Sequence, residues 1–255
     1  MPPAPPGRCT RQWLDGRPGA LEMLHRWLQR HDRPSRLSAC STVVVSAERS
    51  ATGYPLIGLN VDDPSAVVDA SISSPKVRTT AHSLGEWLTA RHVFVNRNST
   101  GLVACVIVPV QARDDEACRL GRILLACCKR VADAGRSLPS LAHANADVMV
   151  GDKTEVAVWR LRRRSIELLP ATDGLLTLSA GHSSAAPLPG GGWLIGRLEH
   201  LHHRRRVSST DVEQALCDAR LGDATACTML IDPVAGFARL IANREAVDIP
   251  YRIPA

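Results

Sequence analysis

The chain alternates between apolar runs of strand length and short polar segments that are rich in turn residues. Residues 41–46 and 54–61 are two such runs, and the polar segment between them ends in Gly53, which predicts a β-hairpin. The later runs predict three more hairpins and two further strands, namely 91–97 with 102–110, 148–150 with 155–161, 226–231 with 237–241, and the strands 165–169 and 175–179.

Helical periodicity occurs in four segments of the chain. Apolar spacing predicts a short amphipathic helix over 21–28, and acidic residues at the positive end of the helix dipole begin a long helix over 114–135. Residues 193–206 predict a third helix, and Thr210 begins a fourth, with Glu213 at capping-box distance. Meandering strands with segregated helices predict an α+β fold with antiparallel sheets. No Gly-rich phosphate loop is present, so nothing in the sequence supports a nucleotide-binding fold.

Composition is that of a globular protein, with 45% hydrophobic and 22% charged residues among 255. No apolar run approaches the length of a membrane span, and the Pro-rich residues 1–11 lack the apolar segment of a secretory signal. We therefore predict a cytoplasmic protein without a membrane partner. The net charge is +6, but only 4% of the residues are aromatic, which argues against single-stranded nucleic acid as a partner.

Eight cysteines raise the question of disulfides or a metal site. None forms a Cys-x-x-Cys pair or stands at zinc-finger spacing from a histidine pair, so we predict free thiols and no bound metal. Four of them, in apolar strand or helix patterns, are predicted to be small core residues: Cys105, Cys118, Cys127 and Cys128.

Cys40 differs from these because it begins a predicted strand directly after a change from helical to strand pattern. Pairing of 40–46 with 54–62 brings Asp62 close to Cys40 at the open end of the hairpin. A thiol at a strand end beside a carboxylate is a candidate nucleophile, whereas the plain alternative is a half-buried core thiol.

Three further motifs follow Cys40-Ser41-Thr42 in order. They are the Gly-x-Asn-x-Asp strand 58–62, the Asn-x-x-Gly-Leu element 98–102 and the Asp-Pro-x-x-Gly turn 232–236. In this order and spacing the chain resembles the acyl-coenzyme A:isopenicillin N acyltransferase family of N-terminal-nucleophile (Ntn) hydrolases, over residues 40 to about 243.

The resemblance implies a four-layer αββα sandwich of two antiparallel sheets and a precursor that cuts its own Ala39–Cys40 bond. Residues 1–39 would then be a leader, a Pro-rich tail plus a short helix, and residues 40–255 the catalytic domain. The freed α-amine of Cys40, with an ordinary pKa near 8, would serve as the base for its own thiol. An acyl-enzyme would form and be resolved by water or an amine.

Site residues follow from the same resemblance. Asp62 matches the aspartate that positions the nucleophile's amine, and the backbone N–H of Asn98 matches an oxyanion donor. Gly181 stands where the family has a second donor, an asparagine, and His182 matches the histidine after it. Leu59 and Asp63 also depart from the family pattern, which affects the oxyanion hole and the substrate pocket.

The basic segments 162–164 and 200–206 are interpreted as solvated surface. No cofactor is predicted, although coenzyme A or a carrier-protein thioester remains open as a co-substrate. In that case these arginines are candidate phosphate contacts.

Two functions therefore remain. The first is an autoprocessed cysteine acyltransferase or amidohydrolase that acts on a small amide or acyl thioester, in keeping with bacterial secondary metabolism. The second is a catalytically silent relative that binds a ligand or a partner protein.

Overall fold

The computed structural model of the protein describes residues 40–61, 67–68, 88–89, 92–109, 112–113, 115–141, 143–180, 198, 200–218, 225, 227–232, 237–242 and 245–250. The predicted leader 1–39, with its short helix and Ala39, lies outside the described residues.

Thirteen strands in this part of the chain form two antiparallel sheets. The first sheet has six strands in the order β10-β1-β2-β11-β12-β13, and the second has seven in the order β3-β4-β5-β6-β7-β8-β9. Their bounds are β1 Cys40–Val45, β2 Leu56–Val61, β3 Val67–Val68, β4 Leu88–Thr89, β5 Val93–Arg97, β6 Val103–Ile107, β7 Ala146–Gly151, β8 Val156–Arg162, β9 Ser165–Leu169, β10 Leu175–Ala180, β11 Cys227–Asp232, β12 Phe237–Ala242 and β13 Glu245–Pro250.

The part of the chain that the structure describes contains five short helical segments. Three are α-helices, α1 Glu116–Cys127, α2 Val131–Ser137 and α3 Ser209–Asp218. Two are 3-10 helices, Leu138–Leu141 and His200–His203. The α+β class with two antiparallel sheets is therefore confirmed, as are the predicted hairpins β1/β2, β5/β6, β7/β8 and β11/β12.

Three apolar clusters show how the layers are stacked. The central cluster joins inward residues of both sheets, such as Leu59 and Met229 of the first and Cys105 and Met149 of the second. A second cluster lies between the outer face of the second sheet and helices α1 and α2, and a third lies between the outer face of the first sheet and α3. Each sheet thus has one face toward the other sheet and one face toward helices.

The predicted long helix over 114–135 is wrong in one respect, because two helices with a break between them occupy this segment. Cys128 is extended, with φ −116° and ψ 140°. The side-chain amide of Asn98 donates to the carbonyls of Leu125 and Cys128, at 3.0 and 2.7 Å, and so satisfies the end of α1. Asp133 then accepts the N–H groups of residues 129 and 130 and begins α2.

Two other helix predictions are corrected. Within 193–206, residue 198 is α-helical as predicted, whereas residues 200–203 form a 3-10 turn and residues 204–206 are not helical. The capping box of α3 is formed by Ser208 and Asp211, since the Asp211 N–H donates to Ser208 Oγ at 3.1 Å and the Ser208 N–H donates to Asp211 Oδ2 at 3.0 Å. Glu213 instead accepts a hydrogen bond from Arg239 of β12 at 2.8 Å.

A short link over residues 170–174 carries the chain from β9 in the second sheet to β10 in the first. Gly174 has φ +74°, and a Cβ on it would lie 2.4 Å from Ser46 Oγ, so a side chain is excluded there. Its carbonyl accepts the Ser46 N–H at 2.8 Å, which joins this link to the end of β1.

Candidate functional site

Cys40 is the first residue of an interior strand. It stands opposite Val61 of β2 on one side and Ala180 of β10 on the other. Asp62 and Gly181, which lie outside the described residues together with His182, each come next in the sequence after a residue paired with Cys40. The backbone pairing therefore brings the chain segments before these two residues to the same end of the first sheet as Cys40.

The side chain of Cys40 lies in the central cluster between the two sheets. Alternation along β1 puts Cys40, Thr42 and Val44 on this inner face, and Cys40 is only 3% exposed in the uncleaved chain. Cys40 is therefore more deeply buried than the half-buried thiol of the plain alternative. A buried thiol is hard to ionise unless a base or a change of surroundings assists it.

Thr42 was not singled out from the sequence, although alternation from Cys40 predicts its face. Its side chain is fully buried, and its hydroxyl has no hydrogen-bond partner. Most buried hydroxyls are satisfied, because an unpaired one costs about 1–3 kcal/mol. The unpaired hydroxyl two residues from Cys40, on the same face, therefore requires an explanation.

The opposite face of the same strands carries a different polar row, beneath α3. Asn60 of β2 donates to the carbonyl of Leu216 at 2.9 Å and accepts a hydrogen bond from Thr228 of β11 at 2.6 Å. These bonds fix the C-terminal turn of α3 to the first sheet. Ser41 is buried on this face opposite Asn60, and its hydroxyl is also unpaired.

Asn98 does not lie beside Cys40. Its backbone N–H, the predicted oxyanion donor, donates to the carbonyl of Leu102 at 3.0 Å within the β5/β6 turn. Its side-chain oxygen accepts the N–H groups of Thr100 and Leu102, each at 3.1 Å. Asn98 therefore forms the turn, and its N–H is already hydrogen-bonded within that turn instead of facing a substrate.

The position of this turn along the sheets supports the same correction. A small cavity brings Gly101 and Val103, next to the turn, together with Ile57 of β2. Gly151, paired with Val103, approaches Ile57 so closely that a Cβ on it would lie 2.9 Å from the isoleucine Cδ1. Ile57 is four residues from Val61, the partner of Cys40, which is roughly 13 Å along a strand. The Asn98 turn thus lies at the other end of the first sheet.

Asn98 also supports a testable prediction about stability. Asn98→Asp keeps the acceptor oxygen for the turn but replaces the amide donor that binds the Leu125 and Cys128 carbonyls with a second acceptor. We expect this variant to lose about 2–3 kcal/mol of unfolding free energy, measured by urea denaturation. Thr100→Ala, which removes one exposed hydroxyl from the same turn, is the control and should lose less than about 1 kcal/mol.

A buried carboxylate on the second sheet was also missed from the sequence. Asp147 of β7 is 2% exposed. It is two residues from Met149 of the central cluster along the same strand, so it lies on the same inner face. Arg160 of β8 donates to both of its oxygens, at 2.8 and 3.3 Å, and Arg162 lies 3.6 Å away. The hydrogen bond to Asp147 raises the pKa of the Arg160 guanidinium. A charged residue at the start of an apolar strand was the available signal.

The other cysteines separate into core and surface. Cys105 is fully buried, and burial raises its pKa to about 12, so it remains protonated at neutral pH. Cys128 is buried as predicted, but Cys118 is only half-buried and Cys127 is exposed, so the core prediction is wrong for Cys127. None of the cysteines that the structure describes forms a disulfide, and the described residues contain no cluster of three metal-ligating side chains.

The basic segment 200–206 lies on the surface, and five of its seven residues are exposed. Arg204 forms an ion pair with Asp211 at 3.4 Å, and Arg206 donates to the carbonyl of Ser50 at 2.9 Å. Arg49 donates to the carbonyl of His202 at 2.7 Å, which fixes the segment to the β1/β2 turn. This turn is at the end of β1 away from Cys40, so these basic groups do not contribute to its site.

Among the described residues, the helices are too short and too polar for any of them to cross a bilayer.

The chain was also compared with known proteins. No model of a known protein family matches the chain, and a search of curated proteins finds no match either.

Proposed function

We propose that the protein is an autoprocessed, cysteine-dependent acyltransferase or amidohydrolase with an Ntn-type fold. The observation that carries the proposal is the position of Cys40 as the first residue of an interior strand, with its side chain between two facing antiparallel sheets. A nucleophile in this place becomes the chain terminus as soon as the preceding peptide bond is cut. The substrates are a small acyl donor, either an amide or a thioester, and water or an amine as the acceptor.

The first step is the cut itself. Cys40 Sγ attacks the carbonyl carbon of Ala39, the C–N bond breaks, and the nitrogen of Cys40 takes up the thiol proton and becomes an amine. Water then hydrolyses the thioester, which gives a carboxylate at Ala39 and restores the thiol. Residues 40–255 remain with a free α-amine on the nucleophile.

The second step uses that amine. With an ordinary pKa near 8, it is partly unprotonated at neutral pH, and this unprotonated fraction accepts the thiol proton. The thiolate attacks the acyl carbonyl of the donor, the leaving amine or thiol takes a proton, and the acyl group is held on Sγ until water or an amine removes it. Asp62, next in the chain to the partner of Cys40, is the group that would orient the amine.

Intact-mass spectrometry of the purified protein tests the proposal. We expect a species that has lost the first 39 residues and that takes up one acetyl group at Cys40 from 4-nitrophenyl acetate. Peptide mapping distinguishes acetylation of Cys40 from acetylation of Cys127, an exposed thiol. A full-length chain with Cys40 unmodified would contradict the proposal.

The silent relative is the second candidate. It is favoured by the burial of Cys40 in the uncleaved chain and by the engagement of the Asn98 N–H in its own turn. Gly181 also lacks the side-chain donor that the family has at that position. A full-length, unlabelled protein with a cooperative unfolding transition is the result expected for this candidate.

A further inference from the structure

We propose that the hydroxyl of Thr42 is the side-chain oxyanion donor for acyl transfer at Cys40. The inference rests on the proposed function and assigns one group in the same site. It starts from two independent observations. Cys40 begins an interior strand, and a fully buried, unpaired hydroxyl lies two residues further along the same face.

The need for such a donor follows from the residues that should supply it. The N–H of Asn98 is bonded to the Leu102 carbonyl, and the turn that holds it lies at the other end of the first sheet. Gly181 has no side chain that could donate. Negative charge that develops on the acyl oxygen nevertheless needs a donor about 2.7–3.1 Å away.

Distance along the strand is compatible with this role. Residues i and i+2 of a strand are roughly 6.6 Å apart and point to the same side. A carbonyl carbon bonded to Cys40 Sγ places its oxygen between the two side chains, within hydrogen-bond reach of Thr42 Oγ1. The hydroxyl donates to the oxygen as the thiolate adds to the carbonyl, and the bond weakens when the leaving group departs and the C=O bond reforms.

Burial without a partner is the expected property of such a group. A hydroxyl that is unpaired in the resting protein destabilises the fold and gains its partner only when the acyl oxygen arrives. A core threonine without a function would gain stability on replacement by valine at no cost to activity. Both readings expect Thr42→Val to be more stable, and they differ in the activity expected of it.

Thr42→Val tests the inference in the full chain. We expect its melting temperature to rise by about 2–4 °C, because the unpaired hydroxyl is removed from the core. Once the first 39 residues have been lost, its acetylation at Cys40 by 4-nitrophenyl acetate should be about a hundredfold slower than in the wild type. Thr42→Ser keeps the hydroxyl and should restore most of the rate.

Two controls separate this effect from general damage. Ser41→Ala removes the other unpaired hydroxyl of the strand, on the opposite face, and should acetylate at the wild-type rate. Alkylation of Cys40 by iodoacetamide forms no oxyanion, so it should proceed equally in the wild type and in Thr42→Val.

The outcomes are distinct. If the wild type is never cut, or is cut but not acetylated at Cys40, then the proposed function fails and the inference fails with it. If the wild type and Thr42→Val are cut and acetylated equally fast, the inference alone is overturned. It is also overturned if Thr42→Val slows alkylation as much as acetylation. If Thr42→Val stays uncut while Thr42→Ser is cut, the inference is supported, because the cut itself is an acyl transfer to Cys40 Sγ that passes through an oxyanion.

Discussion

Cys40→Ala is expected to remain at the full 255 residues, whereas the wild type loses residues 1–39. The alanine side chain has no nucleophile, so neither the cut before residue 40 nor an acyl-enzyme can form. The loss of self-cleavage should be complete. Incubation of the purified precursor, followed over time by intact-mass spectrometry, measures it directly.

Three companion variants make this result specific. Cys40→Ser retains a weaker nucleophile and should cut more slowly than the wild type or not at all. Cys127→Ser changes an exposed thiol and should cut normally. Cys40→Ala should also show a single unfolding transition, with a stability loss of about 1 kcal/mol from the missing sulfur. Cleavage of Cys40→Ala at the same bond would mean that another protease makes the cut.

Arg160→Leu is expected to destabilise the protein by about 2–3 kcal/mol, measured by urea denaturation. The variant leaves Asp147 buried at 2% exposure, and among the described residues its remaining cation is the more distant Arg162. Breaking one partner of a buried pair typically costs about 3–5 kcal/mol, and the partial exposure of Arg160, at 29% of its side chain, reduces that value.

The double variant Asp147→Leu with Arg160→Leu decides whether the pair itself explains the loss. Removal of both charges should recover most of the stability, because no uncompensated carboxylate remains in the core. Arg204→Leu breaks an ion pair whose arginine is 56% exposed, and it should lose less than about 0.5 kcal/mol. Losses that simply add in the double variant would show that Asp147 and Arg160 are not coupled.

Local patterns in the sequence predicted the hairpins well. In β1/β2 and β7/β8, two apolar runs and the short turn between them lie within one stretch of chain, so pairing follows from neighbours in sequence. The strands β3 and β4 have only two residues each, which is too short for a periodic signal. The strand β13 follows the predicted closing hairpin and ends in Pro250, a residue that normally argues against a strand.

Features that depend on distant side chains could not be predicted. The break between α1 and α2 is stabilised by Asn98, which is 30 residues from Cys128 in the sequence. The place of Asn98 at the far end of the first sheet depends on how the two sheets overlie each other, and no local pattern encodes that. The unpaired state of Thr42 likewise depends on the packing of both sheets, although alternation from Cys40 predicts its face.

The link over residues 170–174 has a mechanical consequence for access to Cys40. It ties the two sheets together where β10 begins, opposite the last residue of β1, and its Gly174 is bonded to Ser46. Cys40 lies at the other end of β1, five residues away. The chain also passes from one sheet to the other at this end, since only residues 62–66 separate β2 from β3, so covalent links at both ends of β1 limit how far the sheets can part at the sulfur.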